Sequence, residues 1–247
     1  MANAQDKQAE FLHNQEIFDR AEVLWGWDTP AGEKRGLRRV ESILEYLDPR
    51  EGKHFLEIGC GKGWFTQRVK DCGAQITAFD IHEEFVNIAR RRVPQTHVNF
   101  VVADSESLPF DSESFDGSYG AVILHHLPME TTLKELYRVL KPEGKIIYSE
   151  PNMLNPQIMV MKNIWWIGKR MGESPNETAF FKWQMMALLK RNGFKDIRVE
   201  PFDFLHPQTP RNLVSRMAKI GTMLEKIPLV REIAGSLDIR AVKRAST

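Results

Sequence analysis

Cysteine is almost missing: Cys60 and Cys72 are the only two in 247 residues. Two thiols cannot build a disulfide framework, and their placement matches no metal-ligand spacing. Long apolar runs are missing too. The longest, residues 158–167, contains Lys162 and Asn163 and is too short to cross a bilayer. Residues 1–10 are polar and carry several charges, unlike a secretory signal. A reducing cytoplasm is therefore the expected compartment. A large charge of one sign is also lacking. The net charge of +1 gives no basic footprint for nucleic acid, which is excluded as a partner.

The near-zero total hides an asymmetry. Up to residue 150 there are 18 Lys/Arg against 25 Asp/Glu, and after it 16 against 8. A basic second part suits an anionic substrate or membrane surface, although a solvated face has the same composition.

What is present is an alternation. Residues 11–47 read as helical, with Phe11, Leu12, Ile17 and Phe18, then Val40, Ile43, Leu44 and Leu47, at helical spacing. They are broken at Trp25-Gly26-Trp27, a turn whose two indoles look exposed, and stopped by Asp48-Pro49. Strands are expected at 55–58, 76–79, 98–102, 115–121 and 145–149, with helices at 64–72, 83–92 and 131–140 between them. Parallel strands need such helical crossovers, so the fold class is α/β, a doubly wound, mostly parallel sheet. After Pro151 comes a helical insertion rich in Met and Trp, a helix at 182–191 and a strand at 197–204. A second insertion, 211–233, has Leu213, Met217, Ile220, Leu224 and Ile227 on one helical stripe. A last strand, 237–242, has no long crossover before it and should lie antiparallel beside the sixth.

The strongest local signal is Leu56-Glu57-Ile58-Gly59-Cys60-Gly61-Lys62-Gly63. Glycines between a strand and a helix permit a tight turn and let a ligand approach the backbone. Glu57 stands at the end of an otherwise buried strand, where a charge costs several kcal/mol unless it is paired. A ligand ammonium is one such pair. Asp80 closes the second strand, where an acid accepts hydrogen bonds from ribose hydroxyls. Asp104 ends the third.

These residues, with Leu108-Pro109-Phe110, Ser114-Phe115-Asp116, Leu124-His125-His126-Leu127 and Arg138-Val139-Leu140-Lys141-Pro142-Glu143-Gly144, resemble class I S-adenosylmethionine methyltransferases. The resemblance is to the small-molecule type of quinone biosynthesis and natural-product tailoring, and it covers about residues 50–150. It implies a single domain over 1–247 with a seven-stranded sheet, the seventh strand antiparallel. It also implies a helical N-terminal lid at 1–47, a cofactor-binding core at 48–150 and substrate-covering helices with the last two strands at 151–247. The implied cofactor is S-adenosylmethionine, leaving as S-adenosylhomocysteine. Glu57 and the loop Gly59, Cys60, Gly61 and Gly63 would take its methionine part. Asp80 would hold the ribose, Ile81 would pack on the adenine, and Asp104 with Ser105 would meet the adenine edge. Gly120 and Ala121 would lie near the sulfonium.

A base is needed only when the acceptor must lose a proton. His125 and His126, after the fourth strand, are the first candidates, because imidazole titrates near neutrality. Glu150, ending the fifth, is a third. No metal is expected. Trp165-Trp166 among Lys162, Lys169 and Arg170, with the basic stretch 211–227, suits a peripheral membrane contact through 158–170 and 211–227. The expected acceptor is a small or lipid-linked molecule, with an anionic group; an oligomer is permitted. Three rivals stand beside methyl transfer: NAD-dependent oxidoreduction, aminopropyl transfer, and cofactor binding without turnover. The first usually wants G-x-G-x-x-G, whereas position 64 here is Trp.

Overall fold

The computed structural model describes residues 26–94, 97–164 and 179–245. Its elements in order are α1 (Pro30–Leu47), β1 (His54–Ile58), α2 (Thr66–Val69), β2 (Gln75–Asp80), α3 (Glu83–Arg92), β3 (Val98–Val102) and β4 (Phe115–Ala121). A 3-10 turn (Leu124–His126) leads to α4 (Met129–Val139), β5 (Leu140–Pro151), α5 (Pro156–Asn163), α6 (Lys182–Arg191) and β6 (Phe194–Phe202). α7 (Val214–Leu224), α8 (Pro228–Arg231) and β7 (Ser236–Lys243) follow.

The strands form one seven-stranded sheet in the order β3-β2-β1-β4-β5-β7-β6. β1 to β5 pair in parallel. β7 is antiparallel to β6, as expected, and also to β5, between which it is inserted. Alternate strand residues supply two apolar layers. Leu56, Ile58, Ile146 and Tyr148 pack with Leu133, Leu136, Met185 and Leu189 of α4 and α6. Phe55, Ile76, Ala78 and Ile147 pack with Val40, Ile43, Val86 and Ala89 of α1 and α3 on the other side.

α1 is well bounded. Thr29 caps it by accepting the Gly32 N–H, Pro30 occupies the first turn, and Asp48 ends it at φ 49° with its N–H on the Leu44 carbonyl. Three arginines of α1 then hold it against the chain beyond β6. Arg35 and Arg39 both bond Asp203 Oδ2, at 2.8 and 2.9 Å, and Arg39 also reaches Ser236 Oγ at 2.8 Å. Arg38 grips Glu225 with two bonds of 2.7 and 2.6 Å. Arg39 and Asp203 are buried. Burial alone would raise the Asp203 carboxyl, but the two guanidiniums overcome it and hold it at about 2. Burial lowers Arg39 to about 10, still far above neutrality.

Several expectations are corrected. The helix expected at 64–72 contracts to Thr66–Val69, because Trp64 and Phe65 turn inward onto Trp27, at ring separations of 5.5 and 5.1 Å. Trp27 is therefore buried, not exposed. The sixth strand runs from Phe194 and stops at Phe202, since Asp203 adopts φ 72°. The stretch at 211–233 holds two helices, because Ile227-Pro228 begins a new one. Phe11, Leu12, Ile17, Phe18, Trp25, Trp165 and Trp166 lie outside the described residues, with most of the proposed lid.

Candidate active site at the strand ends

β1 ends at Ile58 and the chain turns at once. Gly59 has φ +66°, and a Cβ there would lie 2.3 Å from Ile123 Cγ1, so only glycine fits. The Cys60 N–H bonds the Phe79 carbonyl at 3.0 Å, tying the loop to β2. Burial pushes the Cys60 thiol well up, so this residue serves the loop through its backbone. The Gly63 N–H closes the turn on the Cys60 carbonyl at 2.8 Å.

Asp80 organises the next strand end. Its Oδ2 accepts the Gly61 N–H at 2.9 Å and its Oδ1 the His82 N–H at 3.0 Å. One carboxylate thus locks the glycine loop to the start of α3. Burial raises it above the usual carboxylate range against the pull of those N–H groups. Glu57 lies on the adjacent strand and is 2% exposed. Burial pushes it up to about 7, helped by the Asp80 charge and opposed by the Tyr119 hydrogen bond. Sequence reasoning missed Tyr119, whose hydroxyl donates to Glu57 Oε2 at 2.8 Å. No local pattern marked it, because the pairing of Glu57 with Tyr119 is set by the register of β1 on β4.

Further along the same edge, Ile81 is 47% exposed beside Asp80. Asp104 is half-buried, and its Oδ1 accepts the Glu106 N–H at 3.0 Å. The Ser105 hydroxyl is turned away to Thr132 Oγ1, 3.1 Å apart. Gly120 sits where a Cβ would meet the Ile58 carbonyl oxygen at 2.9 Å, and Ala121 follows it half-buried.

The structure brings together two residues that the sequence offered separately. Glu150, fully buried, accepts the Ile123 and Leu124 N–H groups at 3.0 and 2.8 Å on Oε1. Its Oε2 lies 2.7 Å from His125 Nδ1. A carboxylate there selects the tautomer with the proton on Nδ1 and leaves Nε2 as the basic nitrogen. The His126 ring stacks obliquely on His125, 4.0 Å between centroids. Val122, just before, is held at φ +58°, a strained value for a β-branched residue, with its N–H on the Ser149 carbonyl at 2.8 Å. No sequence pattern signalled that strain. Among the described residues no cluster of three metal-ligating side chains occurs.

Residues 56–148 match a family profile described as a methyltransferase domain. That stretch is similar to the methyltransferase domain, and the sheet as a whole has the fold of solved methyltransferases. This chain's sheet is that of an S-adenosylmethionine-dependent methyltransferase from Thermotoga maritima, at TM-score 0.69 and 21% identity, covering 94% of this chain and 98% of that one. Among curated proteins, the O-methyltransferase cnsE of Penicillium expansum is 31% identical over 50% of this chain and 49% of its own length. A ubiquinone biosynthesis O-methyltransferase of Coxiella burnetii is 27% identical over 57% and 63%. This chain therefore spans only about 49% and 63% of the length of those two relatives. The matched stretch holds the glycine loop, Asp80, Asp104 and both histidines, and stops two residues short of Glu150.

Proposed function

We propose that this protein transfers the methyl group of S-adenosylmethionine to an oxygen of an apolar or lipid-linked small molecule, with His125 accepting the proton that the oxygen releases. The observation that carries the reading is the glycine loop locked by Asp80 beside the buried Glu57. Two neighbouring buried acids, both raised by burial, suit a ligand that brings a cation. An exposed Ile81 next to them suits a flat apolar ring.

Bound here, the cofactor supplies a methyl on a sulfonium that is its own leaving group. The protein does the rest by position and desolvation. The Gly59–Gly63 loop and Glu57 receive the methionine end. Each Asp80 oxygen accepts one backbone N–H and keeps a lone pair for a ribose hydroxyl. Ile81 covers the adenine face, while Asp104 and the Ser105 backbone address its edge. Gly120 and Ala121 line the approach to the reacting methyl. Glu150 fixes the His125 ring so that Nε2 takes the proton from a phenol or alcohol. The choice of oxygen is supported by the names of the curated relatives, which are O-methyltransferases. The excess of Lys and Arg after residue 150 favours an acceptor with an anionic group.

Two titrations test the cofactor. S-adenosylhomocysteine should bind with micromolar affinity in calorimetry, and Asp80→Ala should weaken it beyond detection; no binding to the unaltered protein at millimolar ligand would withdraw the reading. Glu57 adds a pH dependence. Below about 7 it is protonated, and a bound ammonium favours its ionised form, so affinity should rise as pH rises through 7. A group of that pKa is ~10% ionised at pH 6 and ~90% at pH 8, a change of about tenfold in affinity. Glu57→Gln should flatten the profile, and a flat profile in the unaltered protein would remove Glu57 from the ammonium site.

A further inference from the structure

We propose that α7 and α8 dock the protein on an anionic lipid surface. α7 carries two apolar rows of the same spacing, one residue apart and so about 100° round the helix. The inner row is small. Val214 packs with Ala31 and Leu205, Ala218 joins them, and Gly221 lies where a Cβ would be 3.3 Å from Phe204. Glu225 completes this row, with Arg38 and the Asp203 N–H on its carboxylate. These contacts seat the helix on the body.

The outer row is large and faces away. Leu213, Met217 and Ile220, of the apolar stripe expected on this helix, are exposed. Met223 is 67% exposed, and Ile227 and Leu229 extend the surface, the latter at 87%. The Asn155 side-chain amide donates to the Ile233 carbonyl at 2.9 Å, which sets α5 beside α8 with Met159 and Val160 exposed. An apolar surface of this kind on a helix end of a protein marks an interaction site.

Charge selects the occupant. Arg211, Arg216, Lys219 and Lys226 are exposed in the same stretch, and none forms an ion pair among the described residues. The two acids of 211–233 are both spent, Glu225 on Arg38 and Glu232 on Lys182. The surface is thus apolar with an unneutralised cationic border, the pattern of an interfacial helix on anionic lipid. A second copy of this chain would set like charges against each other across a two-fold interface. The inference concerns a different surface from the strand-end site and does not depend on the cofactor.

Co-sedimentation of the full chain with vesicles tests it. The protein should pellet with phosphatidylglycerol-containing vesicles, stay in solution with phosphatidylcholine alone, and be released by high salt. Each near-surface cation multiplies membrane affinity about fivefold, so Arg216→Gln with Lys219→Gln should weaken binding about 25-fold. Met217→Asp with Met223→Asp should abolish it. All four side chains face outward, so thermal midpoints and S-adenosylhomocysteine affinity should stay unchanged. Equal recovery in the supernatant with both vesicle types would overturn the proposal, as would binding that persists in both double variants. A concentration-dependent dimer that Met217→Asp with Met223→Asp dissociates, without vesicle binding, would assign the surface to a second copy and overturn it too.

Discussion

His125→Gln should lower the turnover of a phenolic acceptor by about 10²–10⁴-fold, the range that a positioned proton acceptor contributes. Glutamine keeps a donor for Glu150 Oε2, now 2.7 Å from His125 Nδ1, so the carboxylate retains a partner. Cofactor affinity should stay unchanged, because the loop and Asp80 are untouched. The variant should also regain rate as pH approaches about 10, where a phenol ionises without help. A purely structural role for the histidine would give no such recovery. Transfer of a labelled methyl group, followed against pH in both proteins, makes the comparison. Turnover within threefold of the unaltered protein at neutral pH would remove His125 from the chemistry and move attention to His126.

Asp203→Asn should cost about 3–5 kcal/mol of folding stability, the penalty for leaving a buried ion without its partner. Asparagine tolerates the left-handed backbone at φ 72°, so the substitution removes charge and little else. The buried Arg39 would then lose its carboxylate, while burial still opposes its charge. Urea unfolding measures the loss, and a change under 1 kcal/mol would show that solvent or rearrangement compensates. The pH dependence has a definite sign. The folded carboxyl, at about 2, lies below its ordinary value of 3.8. Its contribution is therefore complete above pH 4, falls away between pH 4 and 2, and is missing in the Asn variant throughout.

The parts of the fold that were legible in the sequence are those fixed over a few residues. β3, β4, α3 and α6 fall where their apolar patterns and flanking breaks put them. The glycine loop and the acids of the first three strand ends are likewise local, since each needs only its strand to be placed. What stayed hidden depends on distant partners. Trp27 looked like part of an open turn because Trp64 and Phe65, which bury it, lie far along the chain. The stripe through Leu213, Met217 and Ile220 has the periodicity of a packed helix, but the face that packs is the neighbouring row of Val214, Ala218 and Gly221. Periodicity reveals an apolar face and not what covers it. His125 and Glu150 were each visible, yet their pairing follows from the curl of the chain after β4, held by N–H groups that carry no sequence signature. The Arg39–Asp203 contact, 164 residues apart, had no local trace.

The place of β7 also bears on the order in which the molecule can be made. β6 touches the rest of the sheet only through β7, which is synthesised after it and lies between it and β5. On the ribosome, β6 therefore waits without a neighbour, with none of its backbone groups paired into the sheet. The same delay applies to one contact of the clasp on α1, because Ser236, which takes one arm of Arg39, opens that last strand. Asp203 and Glu225 can hold α1 earlier, but Arg39 gains its last partner only with that strand, and a nascent chain halted before residue 236 would present β6 as bait for chaperones or proteases.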